Sequence, residues 1–256
     1  MVNYLLKKSY QLKDLKEIEF NDLWGDHGVF TTMWIFGNPP KILFFKEHID
    51  NLLKSTKYFS ISRTSLKADI KNLLNENLIP KKKYNHLLRI AINKKILSIS
   101  LRKRIKPNLN FDLKLVNLKR QKPEFKNLKY KEILKHLSKL DNSKSDIGLC
   151  SNKKIFETGT SNLLFIKNNK VFSPANKFYK GITYKFFKSK IKKIYKKNIL
   201  VNSLKEFDEI ILIGSGKGVA SVKTINRLKW KRKSLKFYNI LLKDYKSAII
   251  NCPRYR

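Results

Sequence analysis

The segment KKIFETGTSNLLFI, residues 153–166, sets a dense polar turn between two apolar strands, a pattern typical of a β-hairpin. A surface hairpin needs only Asn-Gly or Asp-Gly at its tip. This turn instead holds Glu157 and four small hydrogen-bonding residues, which are Thr158, Thr160, Ser161 and Asn162. Taken by itself, Glu157 is most simply a charge on a surface hairpin, so a role for the turn must be sought in the rest of the chain.

Length and composition limit the classes of protein to which the chain can belong. A chain of 256 residues with 42% hydrophobic residues has room for one large or two small domains with a substantial core. No apolar stretch approaches the roughly 20 residues of a membrane span, and the first 15 residues lack the pattern of a signal peptide. The two cysteines, Cys150 and Cys252, are too few for a disulfide framework or a Cys-rich metal site. We therefore expect a cytoplasmic protein without a metal centre.

The formal net charge of +38 raises the question of a polyanionic partner. The lysines are spread along the whole chain, and no RNP-like aromatic strand, zinc-finger spacing or Gly-x-x-Gly loop accompanies them. The charge predicts weak, salt-sensitive binding to nucleic acid. It does not indicate a specific nucleic-acid or membrane partner.

The order of helical and strand patterns predicts an α+β protein with mostly antiparallel strands in two halves. A basic stretch, KRQKPEF, follows a predicted strand and suggests a boundary, giving domains over 1–118 and 119–256. The predicted strands cover 29–36, 41–45, 84–92, 96–102, 111–118 and 209–214, with a turn at 173–174. The predicted helices cover about 49–56, 66–77, 128–140 and 183–196.

Four features of the sequence suit the functional groups of one cofactor. A Gly181-Ile182-Thr183 turn opening a helix offers backbone N–H groups and a hydroxyl to a phosphate, and a second loop, Gly214-Ser215-Gly216, offers further donors. The Glu157 carboxylate could face a ring nitrogen, and Lys126 could attack an aldehyde. A phosphate, a ring nitrogen and an aldehyde are the three functional groups through which a protein can bind pyridoxal 5′-phosphate (PLP).

Five motifs in order resemble the class IV aminotransferases, the fold-type IV group of PLP enzymes. The family's first-domain signature resembles DHGVFTTMW (26–34) followed by ILFFKEHIDNLLKSTKYFSI (42–61). The family segment that bears the cofactor lysine resembles FKNLKYKEIL (125–134). The Glu-x-x-x-x-Asn turn matches IFETGTSNLLFI, and the phosphate segment resembles VFSPANKFYKGITYKFF (171–187). The last motif resembles EIILIGSGKGVASV (209–222). The resemblance covers nearly the whole chain.

The resemblance implies a fold and a set of roles. The fold would be that of D-amino-acid aminotransferase, with a small N-terminal α/β domain and a larger, barrel-like C-terminal β domain with helices. Lys126 would carry PLP, and Glu157 would keep its pyridine nitrogen protonated. The other cofactor-binding residues would be Asn162, Gly181, Ile182, Thr183, Ser215 and Gly216. The substrate would be a small molecule, and the family implies a homodimer.

The resemblance leans towards one member of the group, 4-amino-4-deoxychorismate lyase, which makes 4-aminobenzoate for folate biosynthesis. Aminotransferases usually have an acidic residue after the aromatic residue of the first motif, where this chain has Phe30-Thr31-Thr32, and the last loop is closer to that of the lyases. Thr31 or Thr32 would orient substrate, or pack as plain strand threonines, and Arg89 would contact a substrate carboxylate or be a surface charge. A class IV aminotransferase, of branched-chain or D-amino acid type, and a non-catalytic basic binding protein on the same fold remain alternatives.

The chain departs from the family at several positions. Asn51 replaces an arginine that binds the cofactor phosphate, and Lys54, one turn on, is a candidate substitute. Losing a bidentate cation from a phosphate site should weaken cofactor binding. Lys129, Tyr184 and Ser221 also differ from the residues that are common in relatives.

Overall fold

The computed structural model describes residues 4–226 and 228–255, which form an α+β protein. The chain divides into two compact units that are each built from separate stretches of sequence. The first contains Met1–Arg104, Phe125–Lys129 and Ile249–Arg256, and the second contains Ile105–Glu124 and Tyr130–Ala248. No helix among the described residues is both long and apolar enough to cross a membrane.

The first unit is an antiparallel sheet in the order β2-β1-β6-β5-β3-β4, with two helices on one face. Alternation along β3 sends Val29, Met33 and Ile35 into a core shared with the helices. Its strands are β1 (Tyr4–Gln11), β2 (Glu17–Ile18), β3 (Gly28–Gly37), β4 (Lys41–Ile42), β5 (Tyr84–Asn93) and β6 (Ile96–Lys103). Its helices are α1 (Phe45–Tyr58) and α2 (Leu66–Asn77).

The second unit is a curled, mixed sheet that forms a half-barrel, in the order β12-β11-β10-β13-β14-β7-β8-β9. Three of its strand pairs are parallel, namely β11 with β12, β14 with β7, and β7 with β8. Its strands are β7 (Asn110–Asn117), β8 (Ser145–Ser151), β9 (Lys154–Thr158), β10 (Asn162–Lys167), β11 (Lys170–Pro174), β12 (Ile194–Lys197), β13 (Glu209–Gly214) and β14 (Gly218–Ile225). Its helices are α3 (Lys131–Leu137), α4 (Ile182–Lys190) and α5 (Lys236–Ile250), which ends in the first unit.

The Glu157 turn is not the tip of a hairpin, so that prediction was wrong. Strand β9 pairs with β8, whereas β10 pairs with β11 and β13. The two strands follow each other in the chain but are separated by four strands in the order of the sheet. The turn therefore crosses from one end of the curled sheet towards the other, which explains why it needs more than a two-residue hairpin loop.

Several predicted elements differ from the structure. The strand over 41–45 is only Lys41–Ile42 because helix α1 already begins at Phe45. The turn at 173–174 is the end of strand β11, and the helix over 128–140 is confined to Lys131–Leu137. The helix over 183–196 ends at Lys190, and residues 194–197 form β12 along β11. The prediction of mostly antiparallel strands is confirmed: every pair of the first sheet is antiparallel, and so are four of the seven pairs of the second.

The structural division also differs from a boundary at residues 118 and 119. Strand β7 precedes that boundary, yet its ladder partners are β14 and β8 of the second unit. Residues 125–129 follow the boundary, yet they are grouped with the first unit. Units built by strand pairing need not be continuous in sequence.

Candidate active site

The segment that carries Lys126 is fixed by its main chain to β3 in the first unit. The Phe30 N–H donates to the Lys126 carbonyl at 2.9 Å, and the Leu128 N–H donates to the Gly28 carbonyl at 3.0 Å. Leu128 is fully buried. These contacts flank Asn127 and hold the backbone at and directly after Lys126, so the starting point of the Lys126 side chain is set by the sheet.

Gly28 allows this close approach. A Cβ atom there would lie 2.3 Å from the Ile92 carbonyl oxygen and 2.8 Å from Cδ1 of Leu128. Both distances are below any real contact, and one of the atoms is backbone, so any side chain would force the 125–129 segment or β5 to move. The glycine that begins β3 is therefore required for packing beside the Lys126 segment.

The Lys126 side chain lies against an aromatic ring on the sheet face that is opposite the core. Its Nζ atom is 5.0 Å from the centroid of the Phe30 ring. Phe30 and Thr32 share this face because side chains alternate along a strand. Thr32 pairs directly with Arg89 of β5, so Arg89 projects from the same face.

Arg89 is a half-buried cation on this face. Its Cζ atom lies 3.6 Å from the centroid of the Trp24 ring and 5.5 Å from that of Phe30, and one N–H donates to the Asp22 carbonyl. Its Nε atom is buried and has no acceptor among the residues that the structure describes. Burial lowers the pKa of Arg89 to about 10, which still leaves it charged at neutral pH.

Thr31 does not share this face. Its hydroxyl lies 2.7 Å from Nδ1 of the buried His48 on α1, on the core side of the sheet. Of the two threonines predicted to orient substrate, only Thr32 is therefore on the side that holds Phe30 and Arg89. Thr31 instead joins β3 to α1.

In the second unit, Glu157 is a buried carboxylate held by a buried arginine. Nε of Arg120 donates to Oε1 at 2.9 Å and Nη2 donates to Oε2 at 3.4 Å, while the Tyr179 N–H donates to Oε2 at 3.4 Å. Burial works against the charge of Arg120, but the Glu157 carboxylate outweighs it, so the pKa of Arg120 is raised. The pair therefore keeps Glu157 available as an ionised acceptor.

Tyr130 completes the wall beside this pair. Arg120 lies with Cζ 4.9 Å from the centroid of the Tyr130 ring, and the Tyr130 hydroxyl donates to the Gly159 carbonyl. Burial raises the pKa of Tyr130 to about 12. The phenol is thus a neutral hydrogen-bond donor that supports the Glu157 turn.

The predicted phosphate-binding residues come together at the start of α4. The Gly181 N–H donates to Oδ1 of Asn162 at 3.1 Å, which ties the helix start to the Glu157 turn. The hydroxyl of Thr183, which is buried, lies 3.5 Å from that of Ser215. Ile182 begins the helix and is buried, and Gly216 follows Ser215 in the loop between β13 and β14. The first N–H groups of a helix have no partners within it, so this end can receive an anion.

The departures from the family have defined structural settings. Lys54 is exposed on α1, and the Lys129 ammonium donates to the Gly25 carbonyl at 2.6 Å. Tyr184 is buried, and its hydroxyl accepts from Lys196. Ser221 is fully buried and accepts from Arg232 at 3.1 Å. Lys129, Tyr184 and Ser221 therefore each have a partner within their own unit.

Sequence reasoning missed Arg120, Tyr130 and Asp146. Arg120 lies in the basic stretch that was interpreted as a linker, where it is one cation among several. The only signal was its position six residues before Lys126. Its pairing with Glu157, 37 residues away, depends on the strand order and cannot be deduced from spacing.

Comparison with known proteins agrees with the fold. The family model described as amino-transferase class IV matches residues 28–225. A branched-chain aminotransferase from Thermoproteus uzoniensis, crystallised with norvaline, is similar at 14% identity and a TM-score of 0.73, covering 94% of this chain and 93% of that one. An aminotransferase from Brucella abortus bound to PLP is similar at 15% identity and a TM-score of 0.70, covering 95% and 99%.

A candidate 4-amino-4-deoxychorismate lyase from Legionella pneumophila is similar at 16% identity and a TM-score of 0.70, covering 87% of this chain and 91% of that one. At these identities the solved structures establish the fold and not the reaction. A search of curated sequences gave no significant match. The family model spans most of the chain, from the Gly28 strand to the end of β14, and the protein therefore belongs to amino-transferase class IV.

Proposed function

We propose that the protein is a PLP-dependent lyase that converts 4-amino-4-deoxychorismate to 4-aminobenzoate and pyruvate. The residues fit the cofactor. Glu157 is an ionised acceptor for a protonated ring nitrogen, the start of α4 with Thr183 and Ser215 suits a phosphate, and Lys126 is an amine for the aldehyde. When bound, PLP would supply an aldehyde for the substrate amine and an electron-withdrawing ring for the carbon that bears this amine.

The observation that carries the substrate choice is the face shared by Phe30, Thr32 and Arg89. Lys126 and Arg89 both lie against the Phe30 ring, and the buried Nε of Arg89 has no acceptor among the described residues. A substrate carboxylate would supply that acceptor in a charge-assisted hydrogen bond. Thr32, directly opposite Arg89, adds a hydroxyl to the same face.

The residues of the chain would act on the substrate one after another. Arg89 holds a carboxylate, and Thr32 orients the ring. Lys126 takes the proton from the carbon that bears the amine. The electron pair of that C–H bond enters the ring as it becomes aromatic, and the bond to the enolpyruvyl oxygen breaks. Enolpyruvate leaves and gains a proton on its methylene carbon to become pyruvate.

The second candidate is an aminotransferase of the same class, which the family match itself favours. It would use the same Lys126 and Glu157, and Lys126 would return the proton that it takes instead of keeping it while a group leaves the substrate. We also propose a homodimer, which the family implies. Its test is the mass by light scattering, where a value of twice 30.2 kDa is expected.

The test is product formation by the purified protein with added PLP. The lyase is expected to release pyruvate and 4-aminobenzoate in equal amounts from 4-amino-4-deoxychorismate, and pyruvate can be followed by lactate dehydrogenase. Transfer of the amino group from branched-chain or D-amino acids to 2-oxoglutarate is expected to be absent. The opposite pattern would establish the aminotransferase. Neither activity, with PLP bound, would favour the non-catalytic alternative.

Variants at Arg89 sharpen this test. Arg89→Gln should raise KM by about tenfold or more, the usual consequence of losing a charge-assisted hydrogen bond to a carboxylate. Arg104→Gln is the matched control because Arg104 also stacks on an aromatic ring, that of Trp34, in the same unit. Equal KM values for the two variants would exclude a substrate contact by Arg89.

A further inference from the structure

A second buried carboxylate lies behind the Glu157 turn. Asp146 on β8 has no exposed surface, and its Oδ2 atom accepts from the hydroxyls of Thr158 at 2.9 Å and Thr160 at 2.7 Å. The ammonium of Lys217 lies 3.0 Å from the same oxygen and donates to the Thr160 hydroxyl at 2.8 Å. We call these four residues the Asp146 cluster.

Lys217 is an unusual member because lysine is seldom buried unless it is paired. It lies between Gly216 and Gly218 in the loop that joins β13 to β14, and only 8% of it is exposed. Its Nζ atom is also 5.1 Å from the centroid of the Phe111 ring. The side chain therefore leaves a glycine-rich surface loop and ends in the interior, next to the Glu157 turn.

The two loops also approach each other closely through their backbones. A Cβ atom on Gly214 would lie 3.0 Å from the Ser161 hydroxyl and 3.2 Å from the Thr160 carbonyl oxygen. Gly218 has a φ of +73°, which few other residues adopt. The Asp146 cluster thus ties the loop that carries Ser215 to the turn that carries Glu157.

The cluster joins the two ends of the proposed cofactor site in this unit. One loop offers Ser215 to the phosphate, and the turn offers Glu157 to the ring nitrogen. A glycine-rich loop has many accessible conformations, and ordering it costs conformational entropy. A buried ion pair fixes one of these conformations because only one places the ammonium against the carboxylate.

We infer that Lys217 is a positioning residue: paired with Asp146, it fixes the Ser215–Gly216 loop relative to the Glu157 turn so that phosphate and ring nitrogen are bound together. The inference rests on the proposed use of PLP. It assigns to Lys217 a role that is distinct from contact with the cofactor, since its Nζ atom is engaged by Asp146 and Thr160.

The test compares binding of PLP with binding of pyridoxal, which lacks the phosphate. Lys217→Met alone leaves the Asp146 carboxylate buried without its cation and can unfold the protein. The decisive variant is therefore the double change Lys217→Met with Asp146→Asn, which removes both charges. Lys223→Met, an exposed lysine on β14, is the control for losing one positive charge.

Both affinities are measured by absorbance titration of the apoprotein. In the double variant we expect the Kd for PLP to rise about tenfold, the size of one lost charge-assisted phosphate contact, while the Kd for pyridoxal changes much less. General destabilisation would weaken both ligands together. The control should keep the affinity ratio of the parent.

The outcomes separate this inference from the proposed function. A parent protein that binds PLP, with a double variant that has the same ratio of affinities, would overturn the role of Lys217 and leave the cofactor assignment intact. A parent that binds neither ligand would overturn both.

Discussion

Glu157 shows how one side chain can be buried and still charged. A carboxyl group in an apolar interior normally becomes protonated, because burial disfavours its charge. Arg120 reverses this by donating to both carboxylate oxygens. A protonated ring nitrogen needs an ionised partner, so Arg120 supports the proposed role of Glu157.

Tyr130 gives a pH-dependent prediction at the residue scale. Its pKa is raised to about 12, against about 10 in an unfolded chain, so its stabilising effect is complete below pH 10 and is lost as pH rises to 12. Over that range this phenol alone should lower the free energy of unfolding by about 1.4 kcal/mol per pH unit. Tyr130→Phe removes this loss, so its stability should fall less steeply, as measured by urea unfolding at pH 9 to 12.

The control is Tyr58→Phe, which removes a phenol that is 54% exposed. At neutral pH, Tyr130→Phe should cost about 1 kcal/mol because the Gly159 carbonyl loses its donor. Equal slopes for the parent and Tyr130→Phe would contradict the assignment of a buried, neutral phenol.

At the residue scale, the sequence analysis singled out residues that belong to the family motifs. It missed residues whose place depends on an ion pair with a distant part of the chain. The structure brings Asn162, Gly181, Thr183 and Ser215 together as a group. Lys217 was visible in the glycine-rich loop, but nothing local marks it as buried. Its partner Asp146 is 71 positions earlier, and only the strand order makes them neighbours.

At the scale of elements, the largest difference is the end of α4. Residues 185–197 are rich in lysine and also contain isoleucine, and the intrinsic helix propensities of both residues are compatible with a helix. The chain leaves the helix at Ile191, with φ −85° and ψ 122°, because residues 194–197 pair in parallel with β11. Such pairing is non-local, and it overrides the weak preferences of single residues.

Helix α5 was not predicted, although its signal was present. Tyr238, Leu241 and Tyr245 are buried at helical spacing. Its start is fixed from a distance: the N–H groups of Phe237 and Tyr238 each donate to the Glu209 carboxylate at 2.9 Å. A buried anion at a helix N-terminus both caps it and complements its dipole.

This cap gives a prediction for the element. Glu209→Gln removes the charge and one acceptor oxygen, and should destabilise the protein by about 1–2 kcal/mol. The control is Glu206→Gln, because its carboxylate forms an exposed ion pair with Lys167 and the change should cost less than about 0.5 kcal/mol. Urea denaturation followed by circular dichroism measures both. Similar values for the two variants would show that Glu209 does not cap α5.

At the scale of the whole molecule, the resemblance predicted the class of fold, and composition could not. The net charge of +38 does not identify a class of fold, because lysines occur throughout the chain. The two units are assembled from non-adjacent stretches, so a basic linker near residue 118 was no guide to their limits. The position of a motif can be found from the sequence. The unit to which a strand belongs depends instead on the strands with which it forms hydrogen bonds.

The central claim is that Lys126 carries PLP, and labelling tests it directly. Because most of the chain's 57 basic residues are lysines, surface amines will also react with excess cofactor, so one equivalent of PLP is added before borohydride reduction and peptide mapping. Lys129→Ala is the matched control and should keep both the visible absorption and the label, whereas Lys126→Ala should lose both. We predict a yellow protein with the reduced cofactor on Lys126. A protein that stays colourless at saturating PLP, or a label scattered over other lysines, would contradict the account.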